Sequence, residues 1–171
     1  LSLLKVTVTQ FTQELQTHQR IIHKVCLLYC SHADDREDLF QEIVLQAWKS
    51  ISKFRGESKF STWLYQIALN TAISHFKKTT KNPLSFFSSE KITSISSSDD
   101  PWKDAEVEEQ FLAMYKAIST LNKVDKALVT LYLEDYDYKT IGEMLGISAN
   151  NVAVKMGRIK VTLRESINSQ Q

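Results

Sequence analysis

The chain holds only two prolines in 171 residues, and they bracket one stretch, at Pro83 and Pro101. The residues between them, Leu84 to Asp100, are rich in serine and show no helical period. Proline lacks an amide donor and serine side chains compete for backbone groups, so this stretch reads as a flexible linker over residues 83–104. Everything outside it is free of proline, and the whole chain has four glycines. Turn-rich β architectures need more of both, so the two flanking segments are expected to be helical. A hydrophobic content of 43% is enough for two minimal helical cores. The expected class is all-α, with two small helical domains over residues 1–82 and 105–171.

Apolar periodicity supports this. A first helix is expected over about Thr9 to Tyr29, with Phe11, Leu15, Ile22, Val25 and Leu28 on one side. A second opens at Asp34 and Asp35, acids suited to a helix start, and runs to about Ile51. Its core face is read as Phe40, Val44, Ala47, Trp48 and Ile51. After a break at Arg55 to Ser58, a third helix is expected through Lys78, capped by Ser61 or Thr62, with Leu64, Ile67, Ala68, Thr71 and Ala72 inward. Beyond the linker, helices are expected from near Trp102 to Leu121, then over Val124 to Glu134, Tyr138 to Leu145 and Ser148 to Ser166.

No run of eighteen apolar residues occurs, so no membrane span is expected, and Leu1 to Val8 lack the marks of a secretory signal. Cys26 and Cys30, one helical turn apart, read as small buried hydrophobes. The alternative, a metal or redox site with His18, His23 and His32, has no matching ligand spacing. A reduced, cytoplasmic protein is expected. No cofactor, metal or small-molecule substrate is expected. A Ser/His/Asp grouping, a phosphate-cradling glycine loop and an HExxH pair are all missing from the sequence, which disfavours an enzyme.

Net charge is +1, but it is distributed in blocks. Five acids against one base lie in Asp34 to Trp48, and seven bases against one acid in Lys49 to Asn82. Such blocks suggest partners of opposite character, although charge runs are commonly only solvated faces. On the acidic helix Asp38, Gln41, Glu42 and Leu45 share one side, which could grip a basic protein or simply face water. The next segment is harder to leave to solvent. Phe54, Phe60, Trp63 and Tyr65 lie among Lys53, Arg55 and Lys59, and aromatic faces interleaved with cations suit unstacked bases. Phe54 is expected in the core, and Trp63 is divided between packing and base contact. Gln66, Asn70 and Ser74 then form a polar stripe, and Lys77, Lys78 and Lys81 suit phosphates.

Lys139 to Met156 has the layout of a helix-turn-helix. Gly146 permits the turn, Ile147 plugs the interhelical angle and Ser148 caps the second helix. Ile141, Leu145, Val152, Met156, Ile159 and Leu163 fit its buried side. Asn150, Asn151, Lys155 and Arg158 are left outward, able to reach base edges and phosphates. A helical hairpin with a wet polar face is the plainer reading.

Asp38-Leu-Phe-Gln41-Glu42, then Phe54-Arg-Gly-Glu-Ser-Lys-Phe60-Ser-Thr62-Trp63-Leu-Tyr-Gln-Ile-Ala-Leu-Asn70, then the helix-turn-helix of Tyr138 to Leu163, together resemble the extracytoplasmic-function sigma factors of the sigma-70 family. The resemblance implies a region 2 lobe of three or four helices, a region 4 helix-turn-helix lobe, and a transcription initiation factor that binds core RNA polymerase. It implies polymerase binding, on the largest subunit's clamp, by Asp38, Gln41, Glu42 and Leu45. It implies −10 recognition and strand opening by Arg55, Lys59, Phe60, Trp63, Gln66, Asn70, Ser74 and Lys77. Duplex −35 contacts fall to Ser148, Asn150, Asn151, Lys155, Arg158 and Lys160, with the lobe touching the polymerase flap. Promoter DNA and an anti-sigma factor are the other implied partners. Ala153, Val154 and Met156 depart from the denser basic run that many members carry. A stand-alone helix-turn-helix regulator is the alternative, and it leaves the aromatic loop unexplained.

Overall fold

The computed structural model describes residues 7–79 and 113–169, with side chains described up to His75 in the first of these segments. The chain divides into two compact units, one ending at Lys81 and the other starting at Asn82. Among the described residues all regular structure is helical. The linker expected at 83–104 lies outside the described residues.

The first unit is a bundle of three helices, α1 (Val8–Tyr29), α2 (Ala33–Ser50) and α3 (Phe60–Thr79), each packed on the other two. Thr7 starts α1 through a capping box: its Oγ1 accepts the Gln10 amide at 3.2 Å and the Gln10 side chain accepts the Thr7 amide at 3.0 Å. At the other end the Arg36 guanidinium donates to the carbonyls of Cys30 and Ser31 at 3.4 and 3.1 Å. This ties the start of α2 to the end of α1. Asp34 and Asp35 occupy the first turn of α2, where the helix dipole favours carboxylates.

The core stripe of α2 is Leu39, Ile43, Ala47 and Ile51: Ala47 and Ile51 are inward as expected, but Leu39 and Ile43 take the places expected for Phe40, Val44 and Trp48. The centre of the buried stripe is turned by about 60° from that expectation. It faces both α1 and α3, and the bulkier neighbours are displaced to the flank along α1. There Phe40 stacks on His23 with centroids 4.8 Å apart, and Trp48 meets Phe11 edge-on at 5.2 Å while staying 43% exposed.

A single 3-10 turn, Ile51–Lys53, follows α2, and Gly56 takes the left-handed conformation at φ 72° within the expected break. The Trp63 amide already bonds the Lys59 carbonyl at 3.1 Å. Ser61 and Thr62 therefore lie inside the first turn of α3 and do not cap it. The inward face of α3 is Leu64, Tyr65, Ala68, Leu69 and Ala72; Ile67 and Thr71, expected inward, are only half-buried. Cys26 and Cys30 are buried free thiols, and burial pushes the Cys26 thiol up to about 12.

In the second unit a helical segment over residues 113–119 (α4) precedes α5 (Lys123–Leu133), α6 (Tyr138–Leu145) and α7 (Ala149–Asn168). Each of the last three helices has a side-chain N-cap: Asn122 accepts the Asp125 amide at 2.9 Å, Asp137 the Thr140 amide at 2.7 Å, and Ser148 the Asn151 amide at 3.1 Å. The bond from Thr140 holds the Asp137 carboxyl below the usual carboxylate range. α7 packs on both α5 and α6. Ile141, Met144, Val152, Met156 and Ile159 are buried there, whereas Leu145 and Leu163 are half-buried.

Candidate nucleic-acid interface

On α2 the four residues expected to share one binding face divide into two sets. Asp38, Gln41 and Leu45 lie on the exposed surface, Leu45 at 44% exposure. Glu42 is half-buried, and its Oε1 accepts the Gln46 amide at 2.8 Å. That carboxylate lines a groove instead. Trp48, one turn beyond Leu45, adds an exposed aromatic to the Asp38–Gln41–Leu45 surface, backed by Phe11. Trp48 is thus not the core residue expected; its placement at i+3 from Leu45 is the signal in the sequence that puts it on this face.

The groove runs between α2 and α3 and encloses about 730 Å³. Glu42, Gln46, Ser50 and Lys53 form one wall, and Trp63, Gln66, Ile67, Asn70, Thr71, Ser74 and His75 the other. Of the residues expected to meet melted DNA, the fold thus brings Trp63, Gln66, Asn70 and Ser74 to one place. Gln46, Ser50, Lys53, Thr71 and His75 were not anticipated there. Amides, hydroxyls and one lysine offer both donors and acceptors for base edges.

At the start of α3 three rings make a mutual cluster, of which Trp63 lines the groove. Phe54 and Trp63 lie 5.1 Å apart, Phe60 and Trp63 5.2 Å, and Phe54 and Phe60 6.1 Å. All three are half-buried, so Phe54 is a surface-cluster residue and not the core residue expected. His18 of α1 supports the cluster, its ring 5.6 Å from Phe60 and its Nε2 3.5 Å from the Glu14 carboxylate. Tyr65 is buried at 5% exposure and belongs to the core. Arg55 and Lys59 are exposed on the loop beside the rings. The Lys77 side chain lies outside the described residues, as do those of Lys78 and Lys81.

In the second unit α6 and α7 form the expected helix-turn-helix. Gly146 ends α6 at φ 72°, and the Gly142 carbonyl accepts the amides of both Gly146 and Ile147. Gly142 itself, not anticipated, is buried against the backbone of the turn that leads into α7. Asn150, Asn151 and Arg158 are exposed and Lys155 is half-buried. Lys160 is directed elsewhere. Five residues along a helix rotate about 140°, so Lys160 leaves the flank of Lys155 and reaches α5. Its Nζ sits 4.7 Å over the Tyr132 ring, and a hydrogen bond to Tyr132 raises its pKa above the ordinary lysine value. Ser148 is engaged as the α7 cap.

Residues 15–82 match the family model for Sigma-70 region 2 and residues 111–163 that for Sigma-70, region 4. The two matches together span more than half of the chain. Among curated proteins the chain is similar to the RNA polymerase sigma factor HrpL of Pseudomonas syringae pv. syringae, at 28% identity over 80% of this chain and 75% of that one. It is also similar to the RNA polymerase sigma-H factor of Pseudomonas aeruginosa, at 27% over 88% and 76%, and to the ECF RNA polymerase sigma factor SigW of Bacillus subtilis, at 25% over 92% and 88%. Two solved structures share the fold. One is the sigma factor RpoE of Bartonella quintana in complex with the anti-sigma factor NepR, with a TM-score of 0.70, 19% identity, and coverage of 96% of this chain and all of that one. The other is CnrH in complex with the cytosolic domain of CnrY, with a TM-score of 0.65, 14% identity, and coverage of 96% and 92%.

Proposed function

Because this chain belongs to the sigma-70 family, in its extracytoplasmic-function class, and acts as an RNA polymerase sigma factor in transcription initiation, we propose the following assignment of its surfaces. The exposed face of α2, Asp38, Gln41 and Leu45 extended by Trp48, docks on the clamp of the polymerase's largest subunit. Its one acid, Asp38, and the Gln41 amide meet a basic partner, and its two half-exposed apolar side chains supply the desolvated centre such an interface needs. The groove between α2 and α3, lined by Trp63 of the Phe54–Phe60–Trp63 cluster, takes the non-duplex strand of the −10 element. Bases stack on rings, Gln66, Asn70 and Ser74 meet base edges, and Arg55, Lys59 and Lys77 meet phosphates.

α7 lies in the major groove of the −35 element, with Asn150, Asn151, Lys155 and Arg158 toward the DNA. Lys160 acts there at most from the side, through the Tyr132 flank. Residues 1–82 carry the first activity, 105–171 the second, and 83–104 link them. The region 4 lobe also touches the polymerase flap. Each lobe alone makes few phosphate contacts, which gives weak and salt-sensitive binding. Joined by a linker and docked on one enzyme, the two act at high effective concentration on one promoter.

The protein works in the cytoplasm, beside the polymerase; among the described residues no helix is long and apolar enough to cross a membrane. An anti-sigma partner is supported by a structure of the same fold, RpoE of Bartonella quintana, that holds one. The carrying observation is that one chain places a polar groove lined by Trp63, itself packed on Phe54 and Phe60, in one unit and a helix-turn-helix in the other. A stand-alone regulator uses only the latter, and the match to region 2 disfavours it. Run-off transcription from a pool of genomic promoters by bacterial core polymerase, with and without this protein, tests the proposal: new transcripts with fixed start sites are expected only when it is added.

A further inference from the structure

The outward face of α7 carries two exposed valines, Val154 and Val161, that neither packing nor charge explains, and only Val154 lies among the exposed asparagines of the first turn. Val154 is 48% exposed, on the side of the helix opposite the buried stripe of Val152, Met156 and Ile159. Asn150 and Asn151 lie one turn before it and Arg158 one turn after it, all exposed. A branched apolar side chain here adds nothing to the core, and valine is a poorer helix former than alanine or lysine. In the major groove the edges of the base pairs present acceptors, amino donors and a single apolar group, the C5 methyl of thymine. Amides and cations on the neighbouring turns have the polar edges and phosphates as partners; an exposed isopropyl group has only that methyl.

We propose that Val154 is a specificity-determining residue that selects a thymine in the upstream promoter element by contact with its methyl group. This rests on α7 being the helix that reads duplex DNA. The contact is short-ranged and apolar, so it discriminates thymine from cytosine and purines without a hydrogen bond. Asn150, Asn151 and Arg158 fix the helix so that Val154 falls on one base pair. Val161, two turns further on and 51% exposed, provides a matched exposed valine without flanking asparagines.

The test uses the full chain assembled with core polymerase. Holoenzyme first selects promoters from a duplex pool randomised over promoter length. Each thymine of the selected upstream element is then replaced singly by deoxyuridine, which removes only the methyl. Loss of one buried methyl-sized contact corresponds to about a fourfold fall in affinity, read by titration of each duplex. That fall is expected at one position for the wild-type chain and for Val161→Ala, and at none for Val154→Ala. Val154→Thr, which keeps a methyl, should retain the sensitivity. A selected element with no enriched thymine, or a methyl effect that persists in Val154→Ala, overturns the proposal while leaving α7 as the reading helix. Selection that enriches no upstream sequence at all overturns the reading of α7 and the proposal with it.

Discussion

The carbonyl oxygen of Ile147 lies 2.5 Å from where a β-carbon on Gly142 would stand, with the Ala149 amide nitrogen at 3.3 Å. Backbone, not a movable side chain, occupies that space, so the turn between α6 and α7 closes only over a glycine. Gly142→Ala, which in an open helix stabilises by about 1 kcal/mol, is expected here to destabilise the second unit by about 2 kcal/mol. Gly157, in α7 with nothing within 4 Å of its would-be β-carbon, is the control. Gly157→Ala should raise stability by up to about 1 kcal/mol, and denaturant melts of the two variants check the contrast.

Trp63 touches Phe54 and Phe60 and also lines the groove, so it joins the ring cluster to the polar wall. Trp63→Ala is expected to lower open-complex formation at least tenfold, on the scale of one lost base stack, while core binding changes little. Permanganate footprinting of the melted strand beside a core-binding titration separates the two. Unchanged opening contradicts the role given to this ring.

Leu45 and Trp48 stand exposed one turn apart on α2. If they form the apolar centre of the polymerase contact, Leu45→Ala should weaken association with core by about 1 kcal/mol and Trp48→Ala by about 2 kcal/mol. Melting of the free protein should move little for Leu45→Ala. Equilibrium titration of labelled protein with core polymerase reads both.

Burial pushes the Cys26 thiol up to about 12, while a thiol in an unfolded chain titrates near about 8.5. As pH rises the unfolded chain gives up this proton first. The stability from a buried neutral thiol is therefore whole below about pH 8.5 and declines toward about pH 12. Tyr29, also pushed up by burial, acts in the same direction. Denaturant melts across that range should show falling stability in the wild type and a shallower fall in Cys26→Ala. Parallel slopes contradict the assignment.

What could be read from the sequence was what depends on neighbours along the chain. Among the described residues the helix positions, the Ser148 cap, the left-handed Gly146 and the break at Gly56 follow from local chemistry, and the structure has them there; the expected helix start near Trp102 lies outside them. The rotation of α2 did not follow. Leu39–Phe40 and Ile43–Val44 are adjacent apolar pairs that offer two stripes, and only packing against both α1 and α3 selects the one through Leu39 and Ile43. Trp48 was placed inward for the same reason, and its exposure changes it from a core residue to a surface one. The groove joins Glu42 to Asn70 across two helices, a pairing that no spacing along the chain encodes. Gly142 could have been found, since a glycine inside a helix without a turn to make calls for a close contact.

The central claim is that two separately weak DNA readers become selective only on a common enzyme. Its most direct test is equilibrium binding of one selected promoter duplex by the free protein, by core polymerase alone and by the two together, at a single near-physiological salt concentration. The account predicts promoter-specific binding by the combination only, with the free protein failing to distinguish promoter from unrelated duplex. Tight, sequence-specific binding by the free protein, unaffected by core, would contradict it.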